Sequence, residues 1–137
     1  MVDWAYPSYN ICEFNEKTLD IRLDNKLRIS NGKGHRAILA AAMVISLLEY
    51  CTSNNFLHNG FVILDSPLLS LKERSNVKSN EIVSDFIADN FFKKLALKSG
   101  IQIIILENKE PPKINDGKIN IIEFTNGNKP GRKGLLE

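Results

Sequence analysis

Residues 27–69 constrain this chain more than any other stretch. They read LRISNGKGHRAILAAAMVISLLEYC, then a polar turn, then GFVILDSPLL. Ser30, Asn31, Gly32, Lys33 and Gly34 form a polar, glycine-rich turn that opens a nearly all-apolar run: Ala37, Ile38, Leu39, Ala40, Ala41, Ala42, Met43, Val44, Ile45, Leu47 and Leu48. An amphipathic surface helix would show a polar stripe, so the helix predicted over 35–50 is expected to be largely buried. Residues 61–64 are a continuous apolar run, as in a strand covered on both faces of a parallel sheet. Asp65 stands at its C-terminal tip, and Pro67 ends the strand pattern.

The flanking segments supply the rest of an α/β unit. Residues 10–15, 18–23 and 26–30 are short and half-apolar. Alternation in Leu19, Ile21, Leu23 and again in Leu27, Ile29 predicts a small antiparallel meander. Ahead of it, Trp4, Tyr6 and Tyr9 surround Pro7 in an extended, aromatic packing patch. Residues 70–78 are polar and read as a loop. Ile82, Val83, Phe86, Ile87, Phe91 and Leu95 then recur at helical spacing, predicting a helix over 80–98 with Ser79 or Asn80 as cap and Gly100 as left-handed stop. IQIIIL (101–106) is a second buried strand, and 119–124 a last one before a Gly/Lys-rich tail. Strands 61–65 and 101–106 should be parallel neighbours joined by a right-handed crossover, with both helices packed against them.

Composition bounds the function. At 137 residues, 43% hydrophobic and 25% charged, the chain reads as one globular, soluble domain over 1–137. Its net charge of +2 is too small to argue for nucleic acid by itself. Cys12 and Cys51 fit neither a disulfide framework nor a zinc site. No signal peptide is recognisable and no apolar run approaches 18 residues, so the expected location is cytoplasmic, with no membrane span.

Free N–H groups at a helix start bind anions, helped by the helix dipole. Gly32 and Gly34 permit close approach and positive φ, Ser30 adds a hydroxyl, and Lys33 and Arg36 add charge. Asp65, at a strand tip and followed by Ser66 and Pro67, is either a turn former or a hard oxygen ligand for a cation. His35 and His58 are isolated, and Ser66 lacks the G-x-S-x-G context of a hydrolase nucleophile.

The order of glycine-rich helix start, helix, strand and terminal carboxylate resembles the second half of nucleotide-binding sites of the ABC and SMC type. SNGKGHRA is similar to the signature motif and FVILDSP to Walker B; ENKEPP and the C-terminal GRKG complete the likeness. Nearly the whole chain resembles the C-terminal end of a bacterial family of SMC-like ATPases found beside defence and mobile-element genes. The resemblance implies an α/β fold, the C-terminal lobe of an ABC/SMC-type P-loop ATPase head: parallel strands with flanking helices plus a small antiparallel meander. It implies that Ser30, Asn31, Gly32, Lys33, Gly34 and Arg36 face ATP and that Asp65 holds Mg²⁺. Leu68, Leu69 and Ser70 would lie in the D-loop along a dimer interface.

Two departures matter. Ser66 occupies the position of the usual catalytic glutamate and cannot act as a base, which is worth roughly 10²–10⁴ in rate. Glu107, at the next strand tip, is the residue that could take over the water-orienting role. In addition, no G-x-x-x-x-G-K-[ST] phosphate loop occurs: Gly32–Lys33 and Gly117–Lys118 both lack the flanking residues. The isolated chain is therefore expected to bind ATP·Mg²⁺ weakly or not at all and to self-associate. It reads as a C-terminal lobe, completed by an N-terminal Walker A lobe and a second head in a homodimer. The alternative is a non-catalytic assembly module that keeps the fold of an ATPase lobe. DNA would be reached through the parent complex, or through the basic tail Lys129, Arg132 and Lys133. In space, the N–H groups of residues 32–35 should form an exposed rim away from Asp65, while Asp65, Ser66 and Glu107 cluster at the C-terminal strand ends.

Overall fold

The computed structural model describes residues 9–69, 78–108, 111–112, 119–125 and 132–133, and for 78–85 and Lys133 the backbone alone. Its architecture is mixed α/β, with a three-stranded antiparallel sheet, a two-stranded parallel sheet and a short second parallel pair. Trp4, Tyr6, the expected loop residues 70–77, Gly117, Lys118 and Lys129 lie outside the described residues.

The antiparallel sheet is the expected meander: β1 (Cys12–Asn15), β2 (Asp20–Leu23) and β3 (Lys26–Leu27). Local chemistry makes its turns. The Asn15 side chain accepts the N–H groups of Lys17 and Thr18 at 3.0 and 3.2 Å. Asp24 and Asn25 both adopt positive φ (45° and 65°), the two-residue conformation that matches strand twist. The third segment is shorter than the predicted 26–30, because Arg28–Ser30 winds into a 3₁₀ turn. Ile21 and Leu23 point inward and form a small core with Leu39. Arg28 fastens this sheet to the next helix: its Nε donates to Asp20 Oδ1 at 2.8 Å and its Nη1 to the Arg36 carbonyl at 3.4 Å.

Helix α1 (Lys33–Ser53) overruns the predicted 35–50 at both ends. At its C-terminus, Thr52 Oγ1 donates back to the Leu48 carbonyl at 2.8 Å and Asn54 Nδ2 to that of Tyr50 at 2.8 Å. Polar residues that satisfy the last carbonyls in this way carry the helix into the turn. Contrary to the expectation that no segment is long and apolar enough to span a membrane, α1 meets that criterion by length and composition, at a mean hydropathy of 1.4. Core helices meet the same criterion, and one face of α1 does pack inward: Ile38, Leu39, Ala41, Ala42, Ile45 and Leu48 are buried. The helix is less buried than expected, since Val44, Leu47 and Tyr50 are 37%, 57% and 58% exposed.

Strands β4 (Phe61–Asp65) and β5 (Gln102–Leu106) are parallel neighbours as predicted, with Asp65 opposite Leu106. Helix α2 (Lys78–Ala96) runs between them, starting before Ser79 and Asn80, which are therefore helical residues rather than caps. It ends short of the predicted Lys98, and Gly100 (φ +77°) makes the turn into β5. Ile87, Ala88, Phe91, Phe92 and Leu95 of α2 join Ile38, Ala41, Ala42 and Ile45 of α1 over Leu64, in one core. Val62, Ile103 and Ile105 pack against the same core. Lys98 Nζ, 2.6 Å from Glu49 Oε1, closes its far end.

Coverage on both faces is the second correction. Phe61, Ile63, Ile104 and Leu106 alternate with the packed residues and stay exposed. Both helices pack on one side, and among the described residues no comparable layer lies over the other. The predicted strand 119–124 is likewise reduced to β6 (Phe124–Thr125), which pairs with β7 (Arg132–Lys133). Arg132 and Lys133 thus belong to a strand pair, not to a free basic tail.

Candidate functional site

Parallel pairing sets the first candidate region, because it brings the C-terminal ends of β4 and β5 side by side. The ladder runs one step past Asp65: the Ser66 N–H donates to the Leu106 carbonyl at 2.8 Å. The chain then reverses. Ser66 sits in the left-handed region (φ +46°), which costs a residue with a Cβ about 1–2 kcal/mol. Its carbonyl accepts the Leu69 N–H at 3.2 Å, closing a turn in which Pro67 and Leu68 are buried and Leu69 is exposed. Strain of this kind persists where the surroundings over-determine the backbone, and it concentrates at functional sites.

Asp65, Ser66 and Glu107 therefore come together at the strand tips. Asp65 is exposed, and the Ser66 hydroxyl donates to its Oδ1 at 3.2 Å. The Glu107 oxygens are both engaged by main chain: Oε2 accepts the Leu68 N–H at 3.2 Å and Oε1 the Asn108 N–H at 3.0 Å. Chemically, the tip offers one solvent-facing carboxylate, a hydroxyl aimed at that carboxylate, and a second carboxylate tied into a turn. Among the described residues no three His, Cys, Asp or Glu side chains gather as a ligand set. Asp65 could hold a hard cation only with water and ligand oxygens completing the shell, as Mg²⁺ accepts.

The second candidate region is the start of α1. Gly32 is the N-cap with φ −63° and ψ 158°, and no side chain caps the helix. Its backbone is one that any residue adopts, so the permissiveness expected of this glycine goes unused. Asn31 turns its amide back to the Leu27 and Arg28 carbonyls at 3.4 and 3.3 Å, closing the 3₁₀ turn rather than facing outward. Ser30 and Lys33 are exposed, His35 and Arg36 half-buried, and Gly34 buried. The expected exposed rim of N–H groups over 32–35 is thus interrupted at Gly34, where the helix start is pressed against the fold.

Electrostatics around this turn serve its attachment. The Arg28 hydrogen bond holds the Asp20 carboxyl below its ordinary range, against the opposing effect of partial burial. Tyr9, wedged between the two cores, has its phenol pushed upward by burial and by the Asp24 charge. Asp24 in turn accepts the N–H groups of Asn10 and Ile11 at 3.0 and 2.9 Å.

His58 is a turn residue. Its Nδ1 accepts the Gly60 N–H at 3.0 Å while its Nε2 meets Thr52 Oγ1 at 3.3 Å. The contacts that sequence reasoning missed, Leu68–Glu107, Glu49–Lys98 and Asp20–Arg28, join residues from different elements and leave no local signature.

Concavities also lie among the described residues. Tyr9, Phe14, Leu19, Met43, Leu47 and Tyr50 line an open apolar groove of about 870 Å³ between the meander and α1. Phe92, Leu95, Ile103, Ile105, Glu107 and Ile119 line a smaller cleft of about 280 Å³ beside β5. Compared with models of known protein families, with curated proteins and with solved structures, the chain matches none.

Proposed function

We propose that this chain is the C-terminal half of an SMC/ABC-like ATPase head in a DNA-associated or anti-phage defence system of the cytoplasm. It would contribute the turn 30–36 and Asp65 to an ATP–Mg²⁺ site, completed by an N-terminal Walker A lobe and a second head. The observation that carries this reading is Asp65: an exposed carboxylate at the C-terminal tip of a parallel strand, beside a strained turn. Open α/β sheets bind ligands at those ends. The exposed apolar side chains Phe61, Ile63, Ile104 and Leu106 of β4 and β5 add support, because a face of this kind suits docking against a second lobe. When bound, Mg²⁺ would neutralise phosphate charge, and Asp65 would hold it through water.

A second reading, a non-catalytic assembly module, is favoured by a specific set of contacts. Ser66 bonds to Asp65, both oxygens of Glu107 are engaged by main-chain amides, and Gly34 is buried at the helix start. In that case the nucleotide-facing residues persist as fold determinants.

The deciding experiment introduces Ser30→Arg and Asp65→Asn separately into the complete head. The ATPase reading expects Ser30→Arg to block head engagement while single-head ATP binding survives, and Asp65→Asn to weaken Mg²⁺-dependent binding. Identical defects in monomeric binding, or unchanged ATP turnover in both, would refute it. Calorimetry on the 137-residue chain should show no micromolar ATP·Mg²⁺ affinity.

A further inference from the structure

Glu107 bonds to a residue 39 positions earlier in the chain, in the turn beyond the neighbouring strand. It lies one residue past β5, and its Oε2 takes the N–H of Leu68, whose side chain is 4% exposed within the main core. A main-chain N–H at so buried a residue needs an acceptor. Around Ser66, the ladder bond to Leu106 and the turn bond from Leu69 are main-chain contacts. The Glu107 carboxylate is the side chain that ties this turn to the tip of the neighbouring strand. Its other oxygen accepts the N–H of Asn108, which fixes the direction of the carboxylate itself.

We infer that Glu107 is a positioning residue: a clasp that holds the turn 65–69 so that Asp65 faces solvent in one orientation, and not the group that activates water. The inference rests on the proposed ligand-facing role of Asp65. Its physical basis is orientation. One main-chain N–H holds each oxygen, so the carboxylate is aimed back into the turn by its own chain. An amide in its place keeps one carbonyl oxygen and can still accept the Leu68 N–H, but it cannot act as a base.

That difference makes the assignment testable in the full chain by amide hydrogen exchange and by the ¹³C resonance of the Asp65 carboxyl. Glu107→Ala should speed exchange at Leu68 by about tenfold, the consequence of losing one hydrogen bond. It should also shift the Asp65 carboxyl signal, a readout that a purely structural contact at Leu68 would leave in place. Glu107→Gln should hold Leu68 exchange within about threefold and leave the Asp65 signal unmoved. Protection at Ile103, Ile104 and Ile105 reports whether β5 is intact. If Glu107→Ala unfolds the chain, Glu107→Gln decides alone: a native Asp65 signal with Leu68 still protected supports the clasp, and loss of either overturns it.

Unchanged Leu68 exchange in a folded Glu107→Ala protein also overturns the inference. So does an ATP turnover of the complete head that Glu107→Gln abolishes as fully as Glu107→Ala. If Leu68 and Asp65 respond as expected while Asp65→Asn leaves that turnover untouched, the clasp stands and the ATPase reading falls.

Discussion

The two faces of the β4–β5 sheet carry the same kind of side chain and meet different fates. Val62, Leu64, Ile103 and Ile105 pack into the main core, and Leu64 is only 6% exposed. Phe61, Ile63, Ile104 and Leu106 alternate with them and are 44%, 54%, 36% and 52% exposed. Successive residues of a strand point to opposite faces, so the contrast reflects what lies over each face and not composition. Parallel sheets occur almost only with both faces covered. Here α1 and α2 cover one, and among the described residues the other has no comparable layer. The lesson is that a continuous apolar run prepares two faces for burial but cannot supply the second cover.

Truncating one residue on each face gives the largest contrast. Leu64→Ala should cost about 2–5 kcal/mol, the range for cavities in well-packed cores. Ile63→Ala, on the open face, should cost less than about 1 kcal/mol. Urea unfolding at unchanged m-value measures both. Equal losses would mean that the open face is in fact covered.

Adding a charge to that face sharpens the comparison. Ile63→Lys should reduce self-association in sedimentation velocity while changing monomer stability by less than about 1 kcal/mol. A Lys variant that associates as strongly as the parent chain would separate self-association from this surface.

The turn 65–69 is where the chain passes from the open face, at Asp65, to the covered core, at Leu68. Ser66→Gly should relieve the left-handed strain there and gain about 0.5–1 kcal/mol, less what the lost bond to Asp65 contributed. Thermal unfolding reads the sign, and a clear destabilisation would show that the hydroxyl outweighs the backbone.

The smallest effect belongs to the meander, remote from the open face. The carboxyl of Asp20 is lowered in the folded state, so its contribution is present above the unfolded value and is lost as pH falls through the folded one. Below about pH 4, the stability advantage of the parent chain over Asp20→Asn should shrink by less than about 1 kcal/mol. A difference between the two proteins that does not vary with pH would remove Arg28–Asp20 as a pH-dependent tie.

Much of the local architecture could be read directly. The alternation that ends in Ile21 and Leu23 specifies a strand of the meander, although Leu19 itself falls in the preceding turn with φ +50° and is exposed. The parallel pairing of β4 with β5 was also legible, from two apolar runs flanking a helix-length segment. So was the meeting of Asp65, Ser66 and Glu107, since parallel neighbours put their C-terminal ends together.

The candidate phosphate turn was less legible. Ser30, Asn31, Gly32, Lys33 and Gly34 read as an open anion-binding loop, yet Asn31 closes a 3₁₀ turn and Gly34 is buried. Sequence fixes which donors are near one another, but not whether the fold presses them inward. Likewise, the last strand expected over 119–124 shrank to two residues, because apolar content alone does not provide a neighbouring ladder.

By itself, then, the sequence determined the two long helices, the first two meander strands, the parallel pair and the placing of a carboxylate at a strand tip. These follow from short-range periodicity, turn propensity and chain connectivity. Only the tertiary structure decided which face of β4–β5 is covered, which side of α1 is exposed, and that Glu107 holds Leu68. Those outcomes depend on side chains tens of residues apart meeting in space, and no local pattern encodes the partner that satisfies a buried N–H.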